Sequence, residues 1–220
     1  MSQKTTFLKS LGAASATSIA ASQAVTNGTP LTLTTASGVT IDTATSTNTA
    51  LGRRVLLTST SGSETASITL TGTNSSGNII TESITFATAL TAQSNLDYVT
   101  ITKILPTSGA VGSISAGTNG VGSSNWYTWN YRVTPPMNLA VAVELVSGAV
   151  NYTVQYTFDN PNATSGEYGI TYPIPFNLAT MIAQTATLDS TISTPIYATR
   201  VLINSGTGVI RCRFIQAGIG

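Results

Sequence analysis

Leu139-Ala140-Val141-Ala142-Val143-Glu144-Leu145, then Ser147-Gly148-Ala149, then Val150-Asn151-Tyr152-Thr153-Val154-Gln155-Tyr156-Thr157-Phe158, is the most legible stretch of the chain. Apolar side chains recur at every second position on either side of a Ser-Gly-Ala break, and a period of two belongs to a strand with one buried face and one wet or interfacial face. The break is short and contains glycine, so the stretch predicts an antiparallel hairpin with Leu139, Val141, Val143 and Leu145 lining one face of the outgoing strand and Val150, Tyr152, Val154, Tyr156 and Phe158 one face of the return.

The same pattern extends in both directions. Toward the carboxy terminus, Tyr197 to Ile203 and Val209 to Gln216 flank Asn204-Ser205-Gly206-Thr207-Gly208 and read as a last hairpin, with Val201, Ile203, Ile210, Cys212 and Phe214 inward. Toward the amino terminus, Ile68 to Thr71 and Ile79 to Phe86 flank Gly72 to Asn78, whose Gly and Asn residues accept positive φ. Leu31 to Thr34, Arg53 to Ser59 and Tyr98 to Leu105 read as further strands. The segment from Phe176 to Thr187 is the one helical interlude the spacing allows, through Leu178, Met181 and Ile182, although an irregular path fits equally well.

The expected fold class is therefore all-β, with two antiparallel β-sandwich domains of jelly-roll or Ig-like type. The boundaries read as an amino-terminal arm or short helix over 1–27, a first sandwich over 28–108, a Gly/Ser-rich linker over 109–124 and a second sandwich over 125–220. Lys4 and Lys9 before Leu11 to Ala24 imitate a signal peptide, but Ser15, Thr17, Ser18 and Ser22 dilute its apolar core. An arm that docks on a neighbour is the better reading.

Charge bounds the function. Nine basic and eight acidic residues in 220 amount to 8%, against about 25% in an ordinary soluble domain. Such a surface must be hydrated by Ser, Thr and Asn or covered in an assembly. The net charge of +1 supplies no field for nucleic acid, and no apolar run is long enough to span a membrane as a helix, despite a mean hydropathy of +0.22. With no histidine, nucleophilic triads and imidazole acid-base chemistry are excluded. Cys212, alone on an apolar face, reads as an inert core thiol. The eight carboxylates form no recognisable pair, Gly117 to Gly122 lacks the lysine of a phosphate loop and reads as a flexible connector, and a calcium site at Asp159-Asn160 has little behind it. No enzyme activity and no cofactor are expected.

Three constellations remain. Arg200, Arg211 and Arg213 are a third of the basic residues, and a closing hairpin would bring them together as a patch for an acidic partner surface, or as a solvated face. Trp126, Tyr127, Trp129 and Tyr131 read as core, as a subunit interface anchored by Trp126 and Trp129, or as a stacking platform. Glu82 shares its face with Ile80, Ile84 and Phe86, so it either pairs with Arg53 or Arg54 or sits at the sheet rim.

The run Ile68 to Ile84, ITLTGTNSSGNIITESI, preceded by Arg53-Arg54-Val55-Leu56-Leu57, resembles a hairpin common in structural proteins of tailed bacteriophages. Gly120 to Trp126 and Asn151 to Asp159 are similar to segments of the same proteins, so the likeness touches most of residues 30–220. It departs at Asn74, where an aspartate is usual. The resemblance implies a β-sandwich virion component, with a capsid decoration or cement protein as the leading expectation. Its partners would be further copies of itself and the major capsid protein, without nucleic acid or membrane and with no catalytic residue to carry over. A tail, neck or fibre-attachment subunit is the alternative, and a carbohydrate-binding surface module is the alternative of another class.

Overall fold

The computed structural model describes residues 3–35, 38–41, 51–130, 132, 137–161 and 173–217. Tyr131 of the aromatic cluster lies outside them, as do Asp42 and Glu167 among the carboxylates. The protein is all-β, and its strands pair antiparallel in several sheets of β-sandwich type. In chain order the strands are β1 (Gln3–Lys9), β2 (Ser15–Gln23), β3 (Val39–Thr40), β4 (Gly52–Ser59), β5 (Ser67–Thr73), β6 (Ile79–Thr85), β7 (Thr91–Gln93) and β8 (Thr100–Pro106). They continue with β9 (Ile114–Ser123), β10 (Tyr127–Thr128), β11 (Asn138–Ser147), β12 (Val150–Thr157), β13 (Phe176–Asn177), β14 (Leu188–Ile192), β15 (Ala198–Gly206) and β16 (Val209–Ala217).

The chain divides into two compact units whose limits differ from the expected ones. One comprises Gly12–Thr45 and Ala50–Gly122, the other Met1–Leu11, Ser46–Thr49 and Ser123–Gly220. The expected arm over 1–27 is largely strand. β1 adds to the edge of β16 in unbroken register from Gln3↔Gln216 to Lys9↔Ile210, and β2 lies along β9. An edge strand has unsatisfied N–H and C=O groups, and a Thr-rich segment that supplies them needs no helix of its own.

Most of the expected linker is also strand. Gly117 in β9 provides close approach rather than freedom, since a Cβ there would collide with the Ser15 carbonyl oxygen on β2. The region from Phe176 to Thr187 is largely irregular, with the short β13 and a single 3₁₀ turn at Ala179–Met181 that buries Met181.

In the unit that begins at Gly12, one sheet has the order β3-β8-β5-β6, and β9-β4-β7 with β2 form another sheet. Val55, Leu57, Ile68, Leu70, Ile101, Ile104 and Ile114 are fully buried. The β5–β6 hairpin is in the expected place, in register from Ser67↔Thr85 to Thr73↔Ile79. Asn74 closes its loop: the Oδ1 accepts the N–H groups of Ser76 at 2.9 Å and Asn78 at 3.0 Å, and Gly77 takes φ +80°.

In the other unit, β1-β16-β11-β14 form one sheet and β13-β12-β15 with β10 form another. Two predicted hairpins are corrected here. β11 pairs with β16 and β14, whereas β12 pairs with β15 and β13, so Ser147-Gly148-Ala149 carries the chain from one sheet to the other. β15 and β16 part in the same way. The two corners pack on each other: Gly148 and Gly206 take φ +68° and +93°, and the Gly208 N–H donates to the Ala149 carbonyl at 3.1 Å. Most of the inward set is as expected, with Leu139, Val141, Val143, Val150, Tyr152, Val154, Val201, Ile203, Ile210, Cys212 and Phe214 buried, whereas Leu145 and Tyr156 are half-buried and Phe158 is exposed.

Candidate interaction surfaces

Because β15 and β16 enter different sheets, the three carboxy-terminal arginines do not form one patch. Arg200 lies on the face of β15 opposite Val201 and Ile203. Its Nε donates to Gln155 Oε1 at 2.9 Å, its Nη1 to Ser123 Oγ at 3.2 Å, and its guanidinium stacks 4.6 Å from the Trp126 ring centroid. Gln155 in turn donates to Asn177 Oδ1 at 2.9 Å. Arg211 and Arg213 project from the outer face of β16, and both reach Glu144 Oε2 at 3.0 Å. The counter-charge that these two arginines required is therefore supplied within the chain.

That outer face gathers charge of both signs. β11 lies between β16 and the edge strand β14, with Ala140, Ala142 and Glu144 outward; Arg213 lies directly opposite Ala142 on one side and Asp189 on the other. Ile215 and Thr191 flank Ala140 in the same way, and Lys4 stands beyond Ile215 on β1. The small alanines leave an open groove of about 450 Å³, lined in part by Ala142, Glu144, Thr187, Asp189 and Arg213.

The tryptophans separate. Trp129 is buried, its Nε1 donating to Thr199 Oγ1 at 2.9 Å, and its ring meets Phe214 edge-on; this corrects its assignment to a partner surface. Tyr127 stacks on Phe7 of β1 at 4.5 Å, and its desolvation raises its pKa to about 12. Phe7 thus fastens β1 to the core of this unit. Trp126 remains half-buried under Arg200. The exposed aromatics lie elsewhere: Phe158 and Phe176 are 50% and 43% exposed and form a cluster with Tyr156, with ring centroids 5.5–5.7 Å apart. Phe158 continues the alternation of β12 past the end of the strand, so the pattern that marks it as core runs beyond the sheet that would cover it.

The ion pair predicted for Glu82 with Arg53 or Arg54 is replaced by other partners. Glu82 sits at the rim and accepts the backbone N–H groups of Asn95 at 2.8 Å and Leu96 at 3.1 Å. Arg54 faces Asp97, with Nε to Oδ1 at 3.7 Å. Arg53 is 2% exposed and directs its guanidinium to the carbonyls of Ala13 and Asn119, tying the turn before β2 to β9. Only Ile80 and Ile84 of the apolar set flank Glu82 within β6.

Nothing in the spacing of the chain marks Glu64, yet it is fully buried and accepts five donors. These are Ser59 Oγ at 2.9 Å, the N–H groups of Thr65 and Ala66 at 3.0 Å, and those of Val111 at 3.2 Å and Gly112 at 3.0 Å. Burial alone would raise its pKa, but these bonds, led by Gly112, lower it to about 2. Gly112 is required for the approach, since a Cβ would lie 2.8 Å from Ser59 Oγ. The fixed anion is a structural clasp between the β4–β5 turn and the segment before β9. Its local signal is no more than a glutamate amid Ser-Gly-Ser and Thr, because two of its donors lie 47 and 48 residues away.

Comparison of the chain with protein-family models, curated proteins and solved structures finds no match.

Proposed function

We propose that the chain is a non-enzymatic structural protein of a tailed-phage virion, a capsid decoration or cement protein that attaches to the outside of the shell and stabilises it. The observation that carries this reading is the exposed cluster of Tyr156, Phe158 and Phe176. Two of the five phenylalanines stand in water in a chain whose sparse charge offers little solvation in compensation. An exposed aromatic patch of this kind is a surface that a partner covers. The strands around it contribute hydroxyls and amides, which suit hydrogen bonding to another protein surface.

The test uses heads of a phage that encodes the chain, prepared without it and then incubated with the purified protein. Added density on the shell exterior and a higher temperature for release of the packaged genome are expected. Phe158→Ser with Phe176→Ser should lose both effects while melting like the wild type. Density at the tail or neck would transfer the reading to an attachment subunit; no association with any part of the particle would refute it. Quenching of Trp126 fluorescence by sugars would favour the carbohydrate module instead, with binding limited to the ring face that Arg200 leaves open.

A further inference from the structure

We infer that the outer face of the β1-β16-β11-β14 sheet is a self-complementary interface that binds a second copy of this chain about a two-fold axis running along β11. This goes beyond the proposed attachment to a shell: it gives the expected self-association a face, a symmetry and residue pairs.

The geometry comes from the cross-strand register. Arg213 and Asp189 stand on opposite sides of Ala142, each directly opposite it on a neighbouring strand. Adjacent strands are about 4.8 Å apart, so the two charges are offset by nearly equal amounts to either side of β11. When two copies of such a face meet, their two-fold axis lies in the interface plane. An axis along β11 exchanges the two sides and sets Arg213 over the Asp189 of a second copy, twice. An axis across the strands sets Arg213 over Arg213 and is repulsive. The register thus selects one orientation.

The remaining positions agree with it. Ala140 and Ala142 lie on the axis, where their small side chains allow the sheets to approach, and the groove over Ala142 gives room for the paired side chains. Ile215, 37% exposed, falls over Thr191. Glu144 also lies near the axis, but Arg211 and Arg213 already hold its charge, so two copies do not oppose bare carboxylates. Within the overlapping strands Arg211 and Arg213 balance Glu144 and Asp189, and Lys4 on β1 lies outside the overlap. About this axis β16 lies over the β14 of the second copy and β11 over β11, with β1 outside the overlap; three strands at about 4.8 Å, with about five to eight residues of about 3.3 Å each, give about 300 Å² per copy. The pair buries about 600 Å², an area of weak, transient association, so charge complementarity sets the pairing and a dissociation constant of about 100 μM or more is expected.

Sedimentation equilibrium of the purified full chain at about 1 mM, above a dissociation constant of about 100 μM, tests this. The wild type is expected to sediment as a dimer. Arg213→Glu and Asp189→Arg should each weaken self-association at least tenfold, because each sets like charges over one another. An equimolar mixture of the two variants should regain the dimer. In the mixed pair the introduced glutamate faces the introduced arginine, and the native Asp189 of one copy faces the native Arg213 of the other. Ala142→Arg, an outward substitution that leaves the core intact, should abolish association in every background. A monomeric wild type, a dimer that survives either reversal, or variants that melt like the wild type but fail to associate when mixed would overturn the inference. Attachment to the phage head is read separately on particles, so a failed dimer and a failed virion reading are distinguishable.

Discussion

Replacing Glu64 with glutamine is expected to destabilise the unit that contains it by about 3 kcal/mol at neutral pH and to remove a defined part of its acid sensitivity. The five donors around the carboxylate hold its pKa at about 2 in the folded chain, against an ordinary value of 4.5. A depressed folded-state pKa stabilises above the unfolded value and is lost as pH falls through the folded one. At about 1.36 kcal/mol for each pH unit, that interval gives about 3 kcal/mol, fully present above about pH 4.5 and gone near pH 2. Glutamine keeps the shape but turns an NH₂ group toward donors, so the variant also leaves buried N–H groups unpaired. Urea unfolding followed by far-UV circular dichroism, at steps from about pH 7 to about pH 2.5, measures the difference between the two proteins; the other carboxylates titrate in both and cancel. Both tryptophans belong to the other unit, so fluorescence reports separately whether the loss is confined to the Glu64 side. A wild type and variant whose stabilities differ by less than about 0.5 kcal/mol near neutral pH, or whose difference does not shrink below about pH 4.5, would refute the reasoning.

Gly117→Ala is expected to cost about 3 kcal/mol, the upper end for overpacking, with faster amide exchange along Ser15–Gln23, because the new methyl group collides with the β2 backbone. Glu82→Ala should cost about 1 kcal/mol by freeing the N–H groups of Asn95 and Leu96. A double-mutant cycle with Arg54→Ala should show coupling below about 0.5 kcal/mol, whereas a larger value would restore the ion pair. Asn74→Asp should leave urea unfolding within about 0.5 kcal/mol of the wild type, since either side chain presents an oxygen to Ser76 and Asn78.

Much of the fold is legible residue by residue, and the failures share one cause. Val141, Tyr152, Ile203 and Cys212 are recognisable as inward from period two alone, because side-chain alternation is a local property of extended backbone. The partner of a strand is not local. Arg200 and Arg211 appear adjacent if a short turn means a hairpin, yet their strands enter different sheets and the side chains meet Gln155 and Glu144 instead. Phe158 appears buried by the same alternation that places Val154 correctly, because periodicity records the face of a strand and not where its cover ends. Glu64 appears ordinary because the amides of Val111 and Gly112 reach it only through tertiary structure.

The sequence by itself determined an all-β chain, most of its inward residues, the Asn74 hairpin loop, and a composition with 8% charged residues and no histidine. Each of these follows from composition or from spacing within a few residues. Only the tertiary structure decided that Gly148 and Gly206 turn corners between sheets, that β1 closes the sheet of the distant carboxy-terminal strands, and that Arg213 and Asp189 flank Ala142. An alternating strand buries its apolar face equally well in a hairpin or across a sandwich. The choice rests on packing among segments far apart in the chain, as where Phe7 of β1 stacks on Tyr127.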